Sequence, residues 1–204
     1  MNWFGTILGF GVRKARQRVG GSSAIVTIDE ASILAAEKLR NRLSPHGPLI
    51  CFAGRFNEQS GLSYLVEALR ALPDVRAILA GDGVSFEDTE ALIEGSGLTH
   101  RVELMKTEAM AELQAVVLAS DLVVLPLLAY VEAAPAVLSL AGDCCRPAIV
   151  TNPLRAYLKG EQPGVLVQEG NSEALRQAMQ ELLGMVGEPS VDGRADQSRS
   201  AVEL

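Results

Sequence analysis

The sequence predicts an α/β fold: a doubly wound, Rossmann-like parallel sheet covered by helices on both faces. Three observations predict it. Apolar runs such as "LICFA" (49–53), "VRAILAG" (75–81) and "DLVVLPL" (121–127) lack polar alternation, as strands buried on both faces require. Helix-period segments separate these runs in a steady β/α rhythm. Glycine-bearing turns fall where strand gives way to helix, at "GRFNEQSG" (54–61) and "GDGVS" (81–85).

The elements follow in order. "AIVTI" (24–28) is β-branched and strand-like. "DEASILAAEKLRNRL" (29–43) places Asp29 as an N-cap before Ile33, Leu34, Leu39 and Leu43 at helical spacing. "SPHGP" (44–48) is a break and the expected hinge or boundary. A strand at 49–53 leads through the 54–61 loop to an amphipathic helix at 62–72, and a strand at 75–81 turns at Asp82-Gly83 into a helix at 85–94. "VELM" (102–105) is a short strand and 108–120 an apolar helix. The strand 121–127 closes on Pro126, and 133–142 is helical. "PAIVT" (147–151) and "GVLVQ" (164–168) are the last strands, and 172–184 is the closing helix, capped by Asn171-Ser172 with Glu173 suiting its dipole. The expected organisation is an apolar and basic arm at 1–21, a strand–helix segment at 22–43, the main domain at 44–186 and a polar tail at 187–204.

Composition narrows the function. Of the 204 residues, 48% are apolar and 21% charged, enough to bury a core. A net charge of −7 argues against non-specific nucleic-acid binding as the main task. Cys51, Cys144 and Cys145 lack metal-ligand spacing, so no metal is expected and a reducing, cytoplasmic setting fits. His46 and His100 read as surface residues. In the arm, Trp3, Phe4 and Phe10 precede Arg13, Lys14, Arg16 and Arg18. The apolar part is far shorter than the ~20 residues of a membrane span. It reads either as an interfacial anchor making peripheral membrane contact through residues 3–18, or as a partner-docking arm or remnant of an upstream segment.

In an open parallel sheet, ligands bind at the carboxyl ends of the strands. Three loops qualify. In the first, Gly54 lets the backbone approach a ligand, and Arg55 offers a forked donor to phosphate or, alternatively, pairs with Glu58. The second carries Gly81 and Gly83, for ligand approach or simply a tight turn. The third, "YVEAAPAV" (130–137), opens a helix whose free N–H groups suit a diphosphate. Its Glu132 is either a ligand contact or a carboxylate favourable to the helix dipole.

Together these stretches carry a resemblance. Residues 48–104, with Gly-Arg after an apolar strand, a "GDG" turn and the "GL…RV" step, are similar to the nucleotide-sugar-binding half of the GT-B glycosyltransferases of family 4. The later "ASDLVVLPLLAYVEAAPAVLSLAGDCCRPAIVTN" resembles that family's paired-glutamate segment, and the likeness covers about residues 48–184. It implies a single GT-B half-domain of retaining, metal-independent type, acting in glycan or polysaccharide synthesis. Its substrate would be a nucleotide-diphosphate sugar, and no cofactor is implied. Gly54, Arg55, Gly81, Gly83, Glu132, Ala134 and Pro135 then fall at donor-binding positions. Two positions depart: Ser60 stands where the family has a phosphate-binding lysine, and Leu140 where it has a ribose-binding glutamate. The helix start carries Ala133, Pro135 and Ala136 in place of glycines. Losing the charge-assisted ribose contact costs roughly 1.5–3 kcal/mol.

The resemblance also implies an acceptor-binding domain ahead of residue 44, of which 22–43 reads as the last strand and helix. Two functions follow. The chain is a donor-binding module working with an acceptor-domain partner or as a homodimer; alternatively it is a non-catalytic binding or scaffold protein. An unrelated nucleotide or phosphosugar binder of the same architecture is the third reading.

Overall fold

A computed structural model describes residue 28 and residues 30–158 and 164–187. The predicted strand at 24–27, Asp29, the arm and the tail from 188 lie outside the described residues, and Ile28 belongs to no strand.

The apolar runs form the strands. They are β1 (Leu49–Arg55), β2 (Arg76–Asp82), β3 (Val102–Lys106), β4 (Leu122–Leu125), β5 (Ala148–Thr151) and β6 (Gly164–Val167). All neighbouring pairs are parallel, in the order β3-β2-β1-β4-β5-β6. Leu49 to Ala53 of β1 are buried throughout, as a central strand covered on both faces must be. The helices are α1 (Glu30–Leu43), α2 (Leu62–Arg70), α3 (Phe86–Gly95), α4 (Met110–Ala119), α5 (Ala134–Asp143) and α6 (Ser172–Gly187). In α2 the buried Leu62, Leu65, Val66 and Leu69 recur at the spacing of one helix face. In α4 the burial runs almost all round, because α1 packs across its outer side.

The first described helix is tied down by polar contacts. The Arg40 guanidinium donates to Asp121 Oδ2 at 2.7 Å, to the Gly47 carbonyl at 2.9 Å and to the Ala119 carbonyl at 3.3 Å. Asp121 Oδ2 also accepts the Leu49 N–H at 2.8 Å, joining α1, β1 and the start of β4. The 44–48 break is held as well, with Ser44 Oγ donating to the Gly47 carbonyl at 2.9 Å. Two short 3-10 turns, Glu58–Ser60 and Asn152–Tyr157, were not expected from periodicity. They carry too few residues for a helical period to register. The α5 end is a Schellman cap: the Cys145 N–H bonds the Gly142 carbonyl at 3.0 Å and the Arg146 N–H bonds the Ala141 carbonyl at 2.8 Å. Cys145 occupies the left-handed position at φ 53°. Among the described residues no helix is long and apolar enough to cross a membrane.

The strand order reverses between β1 and β4. Their following helices pack on opposite faces, so the two loops part at this point and leave a crevice at the carboxyl rim.

Candidate functional site

The crevice is built from the β1 and β4 loops. It has a volume of about 470 Å³ and is lined by Arg55, Asn57 and Gln59 on one side and Tyr130, Val131, Glu132 and Ala133 on the other. The fold thus brings Arg55 and Glu132 to one cavity. Arg55 ends β1, and its side chain is 57% exposed. Glu132 lies one residue before the α5 N-cap Ala133 and is exposed, outside the helix.

The glycines serve different purposes. A Cβ on Gly54 would meet the Phe52 ring at 3.5 Å, and Gly54 does not line the crevice. A Cβ on Gly81 would fall 1.7 Å from the Gly54 carbonyl oxygen, and one on Gly83 would fall 2.2 Å from the Phe56 carbonyl oxygen. Gly81 and Gly83 therefore let the β1 and β2 loops lie backbone against backbone, and neither lines the crevice. The Phe56 N–H to Asp82 carbonyl bond at 3.0 Å and the Ser85 N–H to Phe56 carbonyl bond at 3.0 Å complete that seam. Phe56 itself turns inward onto Phe52 and Phe86, at ring separations of 5.7 and 5.1 Å.

The two departures from the family pattern are both buried. Ser60 is 0% exposed: its hydroxyl accepts the Asn57 N–H at 3.0 Å and donates to the Arg55 carbonyl. It is the keystone of the loop that presents Arg55. Leu140 is 2% exposed and packs in the hydrophobic core, so it does not line the crevice.

The helix mouth differs from the expectation of free donors. The Ala134 N–H bonds the Val131 carbonyl at 3.0 Å, the Ala136 N–H bonds the Ala133 carbonyl at 3.2 Å, and Pro135 has no N–H. Ala134 is 5% exposed, packed inward, and neither it nor Pro135 lines the crevice. What remains for an anion is chiefly the dipole of α5 and the Arg55 guanidinium.

Arg55 pairs with Glu108 at 2.7 Å rather than with its sequence neighbour Glu58. Two strands over, Lys106 at the end of β3 lies 3.5 Å from Asp82 and 5.5 Å over the Phe86 ring. Periodicity could not find Glu108, Asn57, Gln59 or Tyr130, because turn residues at loop tips carry no pattern. Tyr130 stacks on Tyr157 with centroids 6.1 Å apart at 23°, forming an exposed aromatic edge beside the crevice.

Elsewhere the chemistry is quiet. Burial pushes the Cys51 and Cys144 thiols up to about 12, which keeps them protonated. A second hollow of about 290 Å³ lies at the amino-terminal ends of β2 and β3, with Arg76, Glu90, Glu94 and His100 on its wall. Its charges are mixed. His46 and His100 are exposed. No cluster of three metal-ligating side chains occurs among the described residues.

Comparison with known proteins agrees with this architecture. The family model described as glycosyl transferases group 1 matches residues 36–189. A 2-deoxystreptamine glucosyltransferase of Streptomyces kanamyceticus is 27% identical over 63% of this chain, which spans 33% of that relative. Anabaena HepE, solved with UDP and glucose, superposes at a TM-score of 0.65 with 24% identity, over 76% of this chain and 44% of that one. The C-terminal domain of a group 1 glycosyl transferase from Francisella tularensis superposes at 0.63 with 16% identity, over 78% of this chain and 85% of that one. These structural likenesses concern the fold.

Proposed function

The chain belongs to the group 1 glycosyltransferases, and from that premise we propose that it binds the diphosphate and sugar of a nucleotide-sugar donor in the crevice between the β1 and β4 loops. One observation carries the reading: Arg55 and Glu132, from separate loops, line the same cavity at the point where strand order reverses. The Arg55 fork neutralises diphosphate oxygens, and the α5 dipole adds positive potential at its N-terminus. The Glu132 carboxylate accepts hydrogen bonds from sugar hydroxyls.

Glycosyl transfer needs more than this crevice. Arg55 and Glu132 are both exposed, so solvent reaches any bound donor. A reacting glycosidic phosphate has to be shielded from water and aligned with an acceptor. We assign both tasks to an acceptor-binding lobe facing the rim, in glycan or polysaccharide synthesis. The test is calorimetric titration of UDP-glucose and GDP-mannose into the purified chain. Binding of either is expected, and Arg55→Ala weakens it at least ten-fold, about 1.4 kcal/mol. Binding unchanged by Arg55→Ala would refute the crevice as the site.

A second reading has its own support. Ser60 and Leu140 are buried and the first N–H groups of α5 turn back on their own carbonyls. These features favour a binding or scaffold module that retains the fold without turnover. Saturable donor binding with no transfer to any acceptor, alone or with a partner lobe, would select it.

A further inference from the structure

The rim charges are sorted into two internal pairs. Arg55 and Lys106 are the cations at the ends of β1 and β3, and Glu108 and Asp82 take one each, at 2.7 and 3.5 Å. Asp82 is the residue opposite Arg55 in the β1–β2 register. Its Oδ1 instead accepts the Gly83 N–H at 2.8 Å and faces Lys106. Arg55 is left to Glu108, which comes from two strands away.

Glu108 is aimed there by its backbone. Thr107 is buried, its N–H bonds the Gly81 carbonyl at 3.0 Å, and its Oγ1 accepts the Ala109 N–H at 3.0 Å. The peptide on either side of Glu108 is thereby pinned to the β2–β3 edge, and the side chain projects outward across the rim. It meets Arg55 with both side chains more than half exposed, at 57% and 67%.

We propose that Glu108 is an anion mimic that occupies the Arg55 guanidinium and competes with the ligand's diphosphate for it. This inference rests on the crevice being an anion site. A guanidinium presents a planar fork that fits a carboxylate and a phosphate in the same way. Glu108 Oε1 engages that fork through Nη1 at 2.7 Å, so a phosphate drawing on the same Nη1 has to displace the carboxylate. The turned-back Ala134 and Ala136 N–H groups and the buried Ser60 leave Arg55 as the main point charge available, so its counter-ion sets the affinity. Glu108 thus tunes affinity for the diphosphate and makes release of Arg55 a step in ligand entry.

The test uses inorganic pyrophosphate and UDP, titrated at low and at high salt into wild type, Glu108→Gln, Arg55→Ala and the double variant. Glu108→Gln keeps the shape and removes the charge. An exposed ion pair contributes about 0.2–1 kcal/mol, so Glu108→Gln should bind pyrophosphate about 1.4- to 5-fold more tightly. The gain should shrink at high salt and vanish in the Arg55→Ala background. Equal or weaker pyrophosphate binding by Glu108→Gln, with wild-type binding intact, overturns the proposal and leaves the crevice reading standing. Weaker binding confined to UDP would also overturn it, assigning Glu108 to the nucleoside. Absence of binding to all four proteins overturns both readings together.

Discussion

Leu140→Glu separates a position that faces the donor crevice from one that faces the core. The side chain is 2% exposed and belongs to the hydrophobic cluster between the sheet and α5. Replacing it removes roughly 1.5–3 kcal/mol of apolar burial. Among the apolar side chains of the core the new carboxylate is driven toward its protonated form in the folded state. At pH 7 that costs about 1.36 kcal/mol per unit above a reference of ~4.3, or about 3.7 kcal/mol. An unpartnered neutral carboxyl adds roughly 1–3 kcal/mol. The total, about 6–10 kcal/mol, is comparable with the whole stability of an ordinary domain, ~5–15 kcal/mol. Denaturant unfolding of wild type, Leu140→Met, Leu140→Ala and Leu140→Glu at pH 7 is the assay. Met should lose less than about 1.5 kcal/mol and Ala about 2–5 kcal/mol. Because the introduced carboxyl has a raised folded pKa, its penalty shrinks as pH falls toward the unfolded value of ~4.3 and grows as pH rises. At pH 4 the gap to wild type should therefore narrow by roughly 3 kcal/mol. A Leu140→Glu protein within about 2 kcal/mol of wild type at pH 7 would refute the reasoning, because only a solvated crevice position tolerates the charge so cheaply.

The other predictions are local. Cys145→Gly should stabilise by about 1 kcal/mol in thermal or denaturant unfolding, since Cys145 is exposed and holds a left-handed φ of 53° that costs an L-residue roughly 1–2 kcal/mol. Gly81→Ala should destabilise by at least about 2 kcal/mol, because its Cβ would overlap the Gly54 carbonyl oxygen; Gly95→Ala, where nothing lies within 4 Å, should be neutral or gain up to ~1 kcal/mol. With Ellman's reagent at pH 8 the native protein should release one equivalent, from Cys145, and three after unfolding. The buried Cys51 and Cys144 thiols favour the folded state fully below the ordinary thiol pKa of ~8.5, and that contribution is lost as pH climbs toward about 12, so stability should fall across this window.

Much of the architecture was readable before any coordinates. The strands at 75–81, 102–105 and 147–151 lie within a residue of β2, β3 and β5, 49–53 stops two residues short of the end of β1, and 121–127 overreached β4 by including the loop that Pro126 begins. Helix boundaries shifted by at most three residues, as frayed ends do. The candidate site was half legible. Arg55 and Glu132 were named from their places at strand and helix ends, and they share a cavity. Gly81 and Gly83 suit either ligand approach or a tight turn by sequence, and in the fold they accommodate the neighbouring loop's carbonyls. Ala134 was placed at the donor, yet it packs inward with its N–H already bonded. Glu108 was not foreseen as the partner of Arg55, since 53 residues separate them along the chain.

By itself, the amino-acid order determined which segments are strand or helix and that the strands run parallel beneath two helical layers. Those properties follow from hydrophobic period and turn chemistry, which act over a few residues at a time. It also placed a guanidinium and a carboxylate at strand and helix ends. Tertiary structure alone decided the rest: that Ser60 and Leu140 face inward, that Gly81 and Gly83 meet the neighbouring loop's backbone, and that Glu108 claims Arg55. The physical reason is that burial and charge pairing depend on distance in space. Elements far apart in the chain have to pack before either quantity has a value.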